Sequence, residues 1–268
     1  MSLQIDLTNK TALVSGSSQG IGASIARDFA QAGSRVILLA RNEEKLAALC
    51  DELNKNHPLS GNLHHHFIAA DLAQKEGVAK VISFLEEVKE GIDIYVSNAG
   101  GPPGGALSEA KEEEFVAAFQ MHLMSSHAIV KSILPSMKER RFGRIINIIS
   151  TSVKAPLPGL GVSNTLRGAM SSWGKTLASE VASYEITVNS ILPGATKTDR
   201  LEGILKKKAA AQNLSFAEAE KKYLAEIPQK RFAEPEEVAH LASFLASGLA
   251  SYINGVAICV DGGRTPCL

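Results

Sequence analysis

Short apolar runs alternate along the chain with stretches whose apolar residues recur every three or four positions. The run at 11–14 is followed by such a stretch at 21–32, the run at 35–39 by one at 43–53, and the run at 67–70 by one at 78–88. Runs of that length predict strands, and the periodic stretches predict helices. Strands that are apolar on successive residues belong in a parallel sheet covered on both faces, with helices as the crossovers. The series continues with a strand at 92–96, a long helix over 112–139, a strand at 144–149, a helix at 163–183, a strand at 187–191, a helix at 234–246 and a last strand at 256–260. The expected fold class is α/β: a doubly wound, mostly parallel seven-stranded sheet with helices on both faces.

Nothing in the pattern divides the chain. It has no internal repeat, low-complexity tract or Pro/Gly-rich linker, so a single domain over 1–268 is expected. Segment 199–229 stands apart. It is rich in Lys, Ala and Glu, follows the sixth strand, and reads as one or two surface helices at the carboxyl edge of the sheet, where ligands bind in such folds. That position makes it a candidate substrate lid.

Composition narrows the classes of function. Hydrophobic residues at 45% and charged residues at 21% allow a sizeable core. The formal net charge is zero and no block of Lys or Arg occurs, so there is no electrostatic footprint for nucleic acid or an anionic membrane. Residues 1–10 carry Asp6 and no apolar segment of the secretory kind, and no window reaches the roughly 18 apolar residues that span a bilayer. A cytoplasmic protein acting on a small molecule is expected. Three scattered cysteines, Cys50, Cys259 and Cys267, give neither a disulfide framework nor a CxxC site. Consecutive His64, His65 and His66 alternate in direction along an extended segment and do not converge on one ion, so no metal site is expected.

The candidate chemistry begins at the end of the first strand, which runs into Ser15-Gly16-Ser17-Ser18-Gln19-Gly20-Ile21-Gly22; Ile21, Ile25 and Phe29 then mark one face of a helix. In this context Gly16 permits a sharp turn, Gly20 lets backbone approach a diphosphate, and Gly22 lets helix and strand pack closely. Free N–H groups and the dipole at the helix start attract the anion. The spacing G-x3-G-x-G departs from G-x-G-x-x-G, but the strand–turn–helix setting makes this a Rossmann-type dinucleotide site. At the end of the second strand, a carboxylate would bind the adenosine ribose and reject a 2'-phosphate. The residues there are Leu39-Ala40-Arg41-Asn42, and Arg41 is available to a phosphate, so NADP(H) is favoured over NAD(H).

These segments together resemble the short-chain dehydrogenase/reductase family, and the likeness runs almost end to end. Besides the turn at 15–22, Asp71-Leu72 matches the adenine-contacting pair, Asn98-Ala99-Gly100 the Asn-Ala-Gly signature, and Pro193-Gly194 with Thr198 the nicotinamide and phosphate contact after the sixth strand. The tail matches through Arg231, Pro235-Glu236-Glu237-Val238, Asn254-Gly255 and Asp261-Gly262-Gly263. The resemblance implies an NAD(P)-dependent oxidoreductase that assembles as a homotetramer or, less often, a dimer. It also implies cofactor contacts at Gly16, Ser17, Ser18, Gln19, Gly20, Ile21, Gly22, Arg41, Asn42, Asp71, Leu72, Asn98, Ala99, Gly100, Arg167, Pro193, Gly194 and Thr198.

The catalytic positions depart from the family's pattern, which uses an Asn, a Ser and a Tyr-x3-Lys pair whose phenol passes a proton to or from substrate oxygen as hydride moves. Ser150 fits the Ser. Thirteen residues later the Tyr position holds Ser163, four further on the Lys position holds Arg167, and the Asn position falls on His122. A phenol has a pKa near ~10 and an aliphatic alcohol one closer to ~15.7, so the exchange removes on the order of 7 kcal/mol of acid strength. Arg167 keeps a positive charge for the ribose hydroxyls but does not release a proton as lysine does. His122 alone of the four titrates near neutrality and is the candidate proton donor, with Lys154 a second group that could enter the site. No His or Asp lies within sequence reach of Ser163 to make it a nucleophile. The expected function is a 3-oxoacyl-reductase-like, NADPH-dependent enzyme that transfers hydride to a carbonyl or an activated double bond with a non-standard proton donor. The alternative is a catalytically silent NADP(H)-binding sensor, or a structural subunit beside an active paralogue.

Overall fold

The computed structural model describes residues 4–61, 63–88 and 91–267; the remainder of the expected span 1–268 lies outside the described residues. Strands β1 (Thr11–Ser15), β2 (Arg35–Ala40), β3 (His66–Ala69), β4 (Ile94–Ser97), β5 (Gly143–Ile148), β6 (Ile186–Pro193) and β7 (Ala257–Val260) form one sheet. Each pairing is parallel, in the order β3-β2-β1-β4-β5-β6-β7. Strand order reverses between β1 and β4. The loops leaving these two strands turn to opposite sides there and open a crevice at the carboxyl edge.

Alternation along the strands explains why both faces are covered. Ala12 and Val14 of β1, with Val36 and Leu38 of β2, enter one core, whereas Leu13, Ile37 and Leu39 enter the other. Helices α1 (Gly20–Gln31), α2 (Glu43–Asn56) and α9 (Pro235–Ala246) close the first core with Phe29, Leu46, Leu53 and Leu245. Helices α3 (Lys75–Glu87), α5 (Ser125–Arg140) and α6 (Gly161–Val181) close the second with Val81, Ile129, Ile133 and Ala178. Each Phe, Leu, Ile or Val among these stabilises the fold by roughly 1.5–3 kcal/mol on full burial. The strand ends that aim the site loops are fixed by this double layer.

Two elements differ from the expected pattern. The helix over 112–139 is interrupted: α4 (Glu112–Phe119) passes through a π-helical turn, Gln120–Met124, before α5 begins. A π turn takes in an extra residue and shifts the direction of its side chains. His122 lies in this turn and is buried. Segment 199–229 forms two helices, α7 (Asp199–Ala211) and α8 (Phe216–Ala225), the second opened by a reciprocal Ser215–Glu218 cap. They enclose a small core of their own, including Leu201, Leu205, Tyr223, Ile227 and Phe232.

The histidine run serves the sheet. His65 Nδ1 accepts from the Val36 N–H at 3.0 Å, so the hydrogen sits on Nε2, which meets the His57 carbonyl at 3.0 Å. Among the described residues, no group of His, Cys, Asp and Glu is placed to hold a metal ion, and no helix is long and apolar enough to cross a membrane.

Candidate active site

The phosphate turn is held by a short relay between β1 and β4. Ser15 Oγ donates to the Val96 carbonyl at 2.9 Å and accepts from the Asn98 N–H at 2.9 Å; Asn98 Nδ2 donates to the Gly16 carbonyl at 3.3 Å. Gly16 adopts φ +63°, and a Cβ there would stand 2.4 Å from the Asn98 carbonyl oxygen. Gly20, at φ +55°, opens α1 beneath Thr198, whose Cγ2 would lie 3.1 Å from a Cβ at that position. Side chains at these two glycines would fill the cradle. The N-cap of α1, Gln19, makes no capping bond; its Oε1 accepts from Lys45 Nζ at 2.6 Å instead. The first N–H groups of α1 therefore have no side-chain acceptor, which is the arrangement a diphosphate fits. Ser18 and Ile21 are half-buried beside it, Ile21 against the first core, and Gly22 is buried.

One residue expected to touch a cofactor is used elsewhere. Ser17 is fully buried. Its N–H donates to the Leu39 carbonyl at 3.3 Å, and its hydroxyl both donates to that carbonyl at 3.4 Å and accepts from the Leu39 N–H at 2.9 Å. Its polar groups tie the turn to β2 and leave none for a phosphate. Asn42 caps α2, its Oδ1 accepting from the Lys45 N–H at 2.8 Å. Arg41 is exposed at the end of β2, and Lys45, four residues further on, adds a second cation on this side of Gln19. Sequence reading passed over Lys45; its spacing from Arg41 across the first turn of α2 was the available signal.

The remaining expected contacts follow the strand ends. The Ala70 N–H donates to the Ala40 carbonyl at 2.9 Å, which sets Asp71 and Leu72 beside the end of β2. Asp71 Oδ1 accepts from the Ala73 N–H at 3.0 Å, and Leu72 packs against the second core. Ala99 is half-buried and Gly100 open after β4. Pro193 ends β6 opposite Val260, the Gly194 N–H donates to the Val260 carbonyl at 2.9 Å, and Thr198 Oγ1 caps α7 by accepting from the Leu201 N–H at 3.4 Å.

The expected catalytic residues come from three elements. Ser150, half-buried after β5, accepts from the Ser152 N–H at 3.1 Å, which leaves its own hydroxyl hydrogen to donate. Ser163 and Arg167 lie one turn apart on α6 and are only 5% and 6% exposed. Arg167 Nη1 donates to the Ile148 carbonyl, two residues before Ser150, at 3.2 Å, while its Nε has no partner. Burial first, and then the charge of Arg200, push the Arg167 guanidinium down to about 10. Lys154 is exposed.

His122 does not carry the proton expected of it. It is 3% exposed. Burial lowers its pKa to about 3, the Arg167 charge acts in the same direction, the Gly100 backbone opposes them, and Arg200 adds a smaller push. With its pKa at about 3 the imidazole is neutral around pH 7, so no imidazolium is present there to act as an acid. Its Nε2 is buried without a partner.

The missing phenol is not supplied from elsewhere. The chain has four tyrosines. Tyr95 is fully buried and donates to Ser126 Oγ at 3.3 Å. Tyr223 stays in the small core of α7 and α8, its ring edge-on to Phe232 and its hydroxyl accepting from Arg264 Nη1 at 3.0 Å. Tyr184 and Tyr252 lie before the amino ends of β6 and β7, at the opposite edge of the sheet.

One further cation joins the centre. Arg200, in the first turn of α7, keeps solvent access and lies across the loop after β4: a Cβ on Gly101 would stand 2.3 Å from its Nη2. Neither Arg167 nor Arg200 belongs to any ion pair found among the described residues. Sequence reading missed Arg200, although it stands two residues past Thr198.

Comparison with known proteins matches this fold. Residues 16–265 fit a family model described as Enoyl-(Acyl carrier protein) reductase. The chain is 34% identical over 259 residues to the 3-oxoacyl-[acyl-carrier-protein] reductase FabG of Rickettsia prowazekii (strain Madrid E), covering 97% of this chain and 98% of that protein. The crystal structure of L-sorbose reductase from Gluconobacter frateurii, complexed with NADPH and L-sorbose, superposes with a TM-score of 0.92 at 31% identity, covering 99% of this chain and 100% of that one. YwfH, an NADPH-dependent reductase involved in bacilysin biosynthesis, superposes with a TM-score of 0.90 at 28% identity, over 97% and 99% of the two chains. All three relatives are named as reductases.

Proposed function

The chain belongs to the short-chain dehydrogenase/reductase family, and on that premise we propose that it is a cytoplasmic, 3-oxoacyl-reductase-like enzyme that uses NADPH to reduce a carbonyl or an activated double bond. The 199–229 segment serves as its lid within one domain, and it assembles as a homotetramer, as the family resemblance implies. The dinucleotide lies along the crevice with its diphosphate at the start of α1. Arg41 and Lys45 meet the 2'-phosphate, with no carboxylate at the end of β2 to repel it. Arg167 takes the place of the lysine that holds the nicotinamide ribose. Bound NADPH supplies the hydride.

The observation that carries this reading is Arg167 itself, a buried guanidinium at the family's lysine position with no carboxylate paired to it. Losing the phenol removes on the order of 7 kcal/mol of acid strength. A fixed cation about 4 Å from a developing oxyanion returns about 4 kcal/mol at the effective dielectric of a partly wet site, so Arg167 recovers roughly half of the loss. Ser150 donates to the acceptor oxygen, Arg167 stabilises the charge that builds on it, and neutral His122 adds no competing cation. The proton then comes from water. An acceptor whose charge spreads over a conjugated system depends least on an acid, so activated double bonds are the better substrates.

The test is NADPH oxidation, followed by absorbance, across matched enones and isolated ketones. Enones are expected to turn over faster, with Ser150→Ala lowering kcat/KM roughly ten- to a hundred-fold. Tight NADPH binding without consumption of any acceptor would overturn the enzyme reading.

A further inference from the structure

The catalytic end of the crevice carries a cation, Arg200, that the hydride step does not use. Arg167 and Arg200 come from different elements, and each lacks a carboxylate partner among the described residues. Arg167 is nearly inaccessible, with its Nε unpartnered. Arg200 reaches over Gly101, on the loop that follows the Asn98-Ala99-Gly100 signature, and stays open to solvent. His122, between these cations electrostatically, is neutral, and its buried Nε2 is also without a partner. Two like charges held together without a counter-ion repel, and an anion placed at them relieves the repulsion while adding charge-assisted hydrogen bonds. The N–H groups at the start of α1, which lack a side-chain acceptor, take the diphosphate, and this leaves Arg167 and Arg200 for another anion.

We propose that the substrate is itself an anion bearing a carboxylate, and that Arg200 with Arg167 behind it selects for that group. This rests on the reading of the crevice as a hydride-transfer site. Arg200 is the specificity residue, since it is the accessible member of the pair.

Calorimetric titration of the NADP⁺-saturated protein with benzoate and with benzamide tests this, because the two probes differ in charge and hardly in shape. Benzoate is expected to bind roughly ten-fold or more tightly than benzamide, the margin that a charge-assisted pair supplies. Arg200→Gln should bring the two within about two-fold of each other, and Arg200→Lys should restore part of the preference, while NADP⁺ affinity stays within about three-fold in both variants. Equal affinities in the wild-type protein, or no binding of either probe, would overturn the proposal. So would an Arg200→Gln variant that loses NADP⁺ affinity and keeps its benzoate preference, since Arg200 would then serve the cofactor. Failure of the wild-type protein to bind NADP⁺ at all removes the hydride-transfer reading and this proposal with it. NADP⁺ binding without a preference for benzoate removes this proposal alone.

Discussion

Asn98 and Gly16 clasp each other across the switch point of the sheet: the Asn98 amide donates to the Gly16 carbonyl at 3.3 Å, and the Asn98 carbonyl oxygen would lie 2.4 Å from any Cβ on Gly16. One contact draws the two loops together, and the other forbids a side chain between them. The turn at the start of α1 is thereby set before a ligand arrives.

Gly16→Ala should therefore damage binding more than folding. Its positive φ and the collision together cost about 1–3 kcal/mol of stability. Displacing the turn should weaken NADPH on the order of a hundred-fold in a fluorescence titration. Unchanged affinity would show that the diphosphate lies elsewhere.

Replacing Arg41 and Lys45 by Ala, singly, should weaken NADPH roughly ten-fold each and leave NADH within about two-fold, because only the 2'-phosphate meets these cations. Parallel losses for both nucleotides would assign the two residues to some other task.

His122 links the site to acid stability. Its pKa falls from 6.5 to about 3 on folding, so between those values the unfolded chain holds a proton that the folded chain does not. The corresponding stability is present above pH 6.5 and is lost as pH falls below it. By pH 5 the loss is about 2 kcal/mol, read from urea unfolding, and His122→Asn should lack this component. A wild-type protein and a variant with the same pH dependence would show that the imidazole is not held neutral.

Tyr223→Phe should leave kcat and KM within about two-fold of wild type and reduce stability by about 1 kcal/mol, the usual worth of one hydrogen bond. A large fall in kcat would mean that this phenol leaves Arg264 and enters the crevice during turnover.

The paired change Ser163→Tyr with Arg167→Lys places a phenol and an amine where the family has them. Isolated ketones should gain at least about ten-fold in kcat/KM, enones should change little, and the pH–rate profile should acquire a limb below the ordinary phenol value near ~10. Equal effects on both acceptor classes would argue against electrostatic stabilisation as the native strategy.

Much of this protein was legible in one dimension. A parallel sheet buried on both faces requires uninterrupted apolar strands such as 35–39, and the crossovers require amphipathic stretches between them, so the fold is written locally. The diphosphate turn was legible for the same reason, since a positive φ at Gly16 and a close backbone approach at Gly20 are demands on single residues. Spacing along α6 and from Ser150 likewise located Ser163 and Arg167. The tertiary structure decided everything that depends on what faces what. Ser17 turns inward to Leu39, a π turn carries His122 into the interior, Tyr223 is committed to Arg264, and Arg200 reaches across to the loop after β4. The protonation state of His122 shows the reason most clearly. A residue type sets only the ordinary pKa, whereas the shift comes from lost solvent and from charges on α6 and α7, which only folding brings beside it.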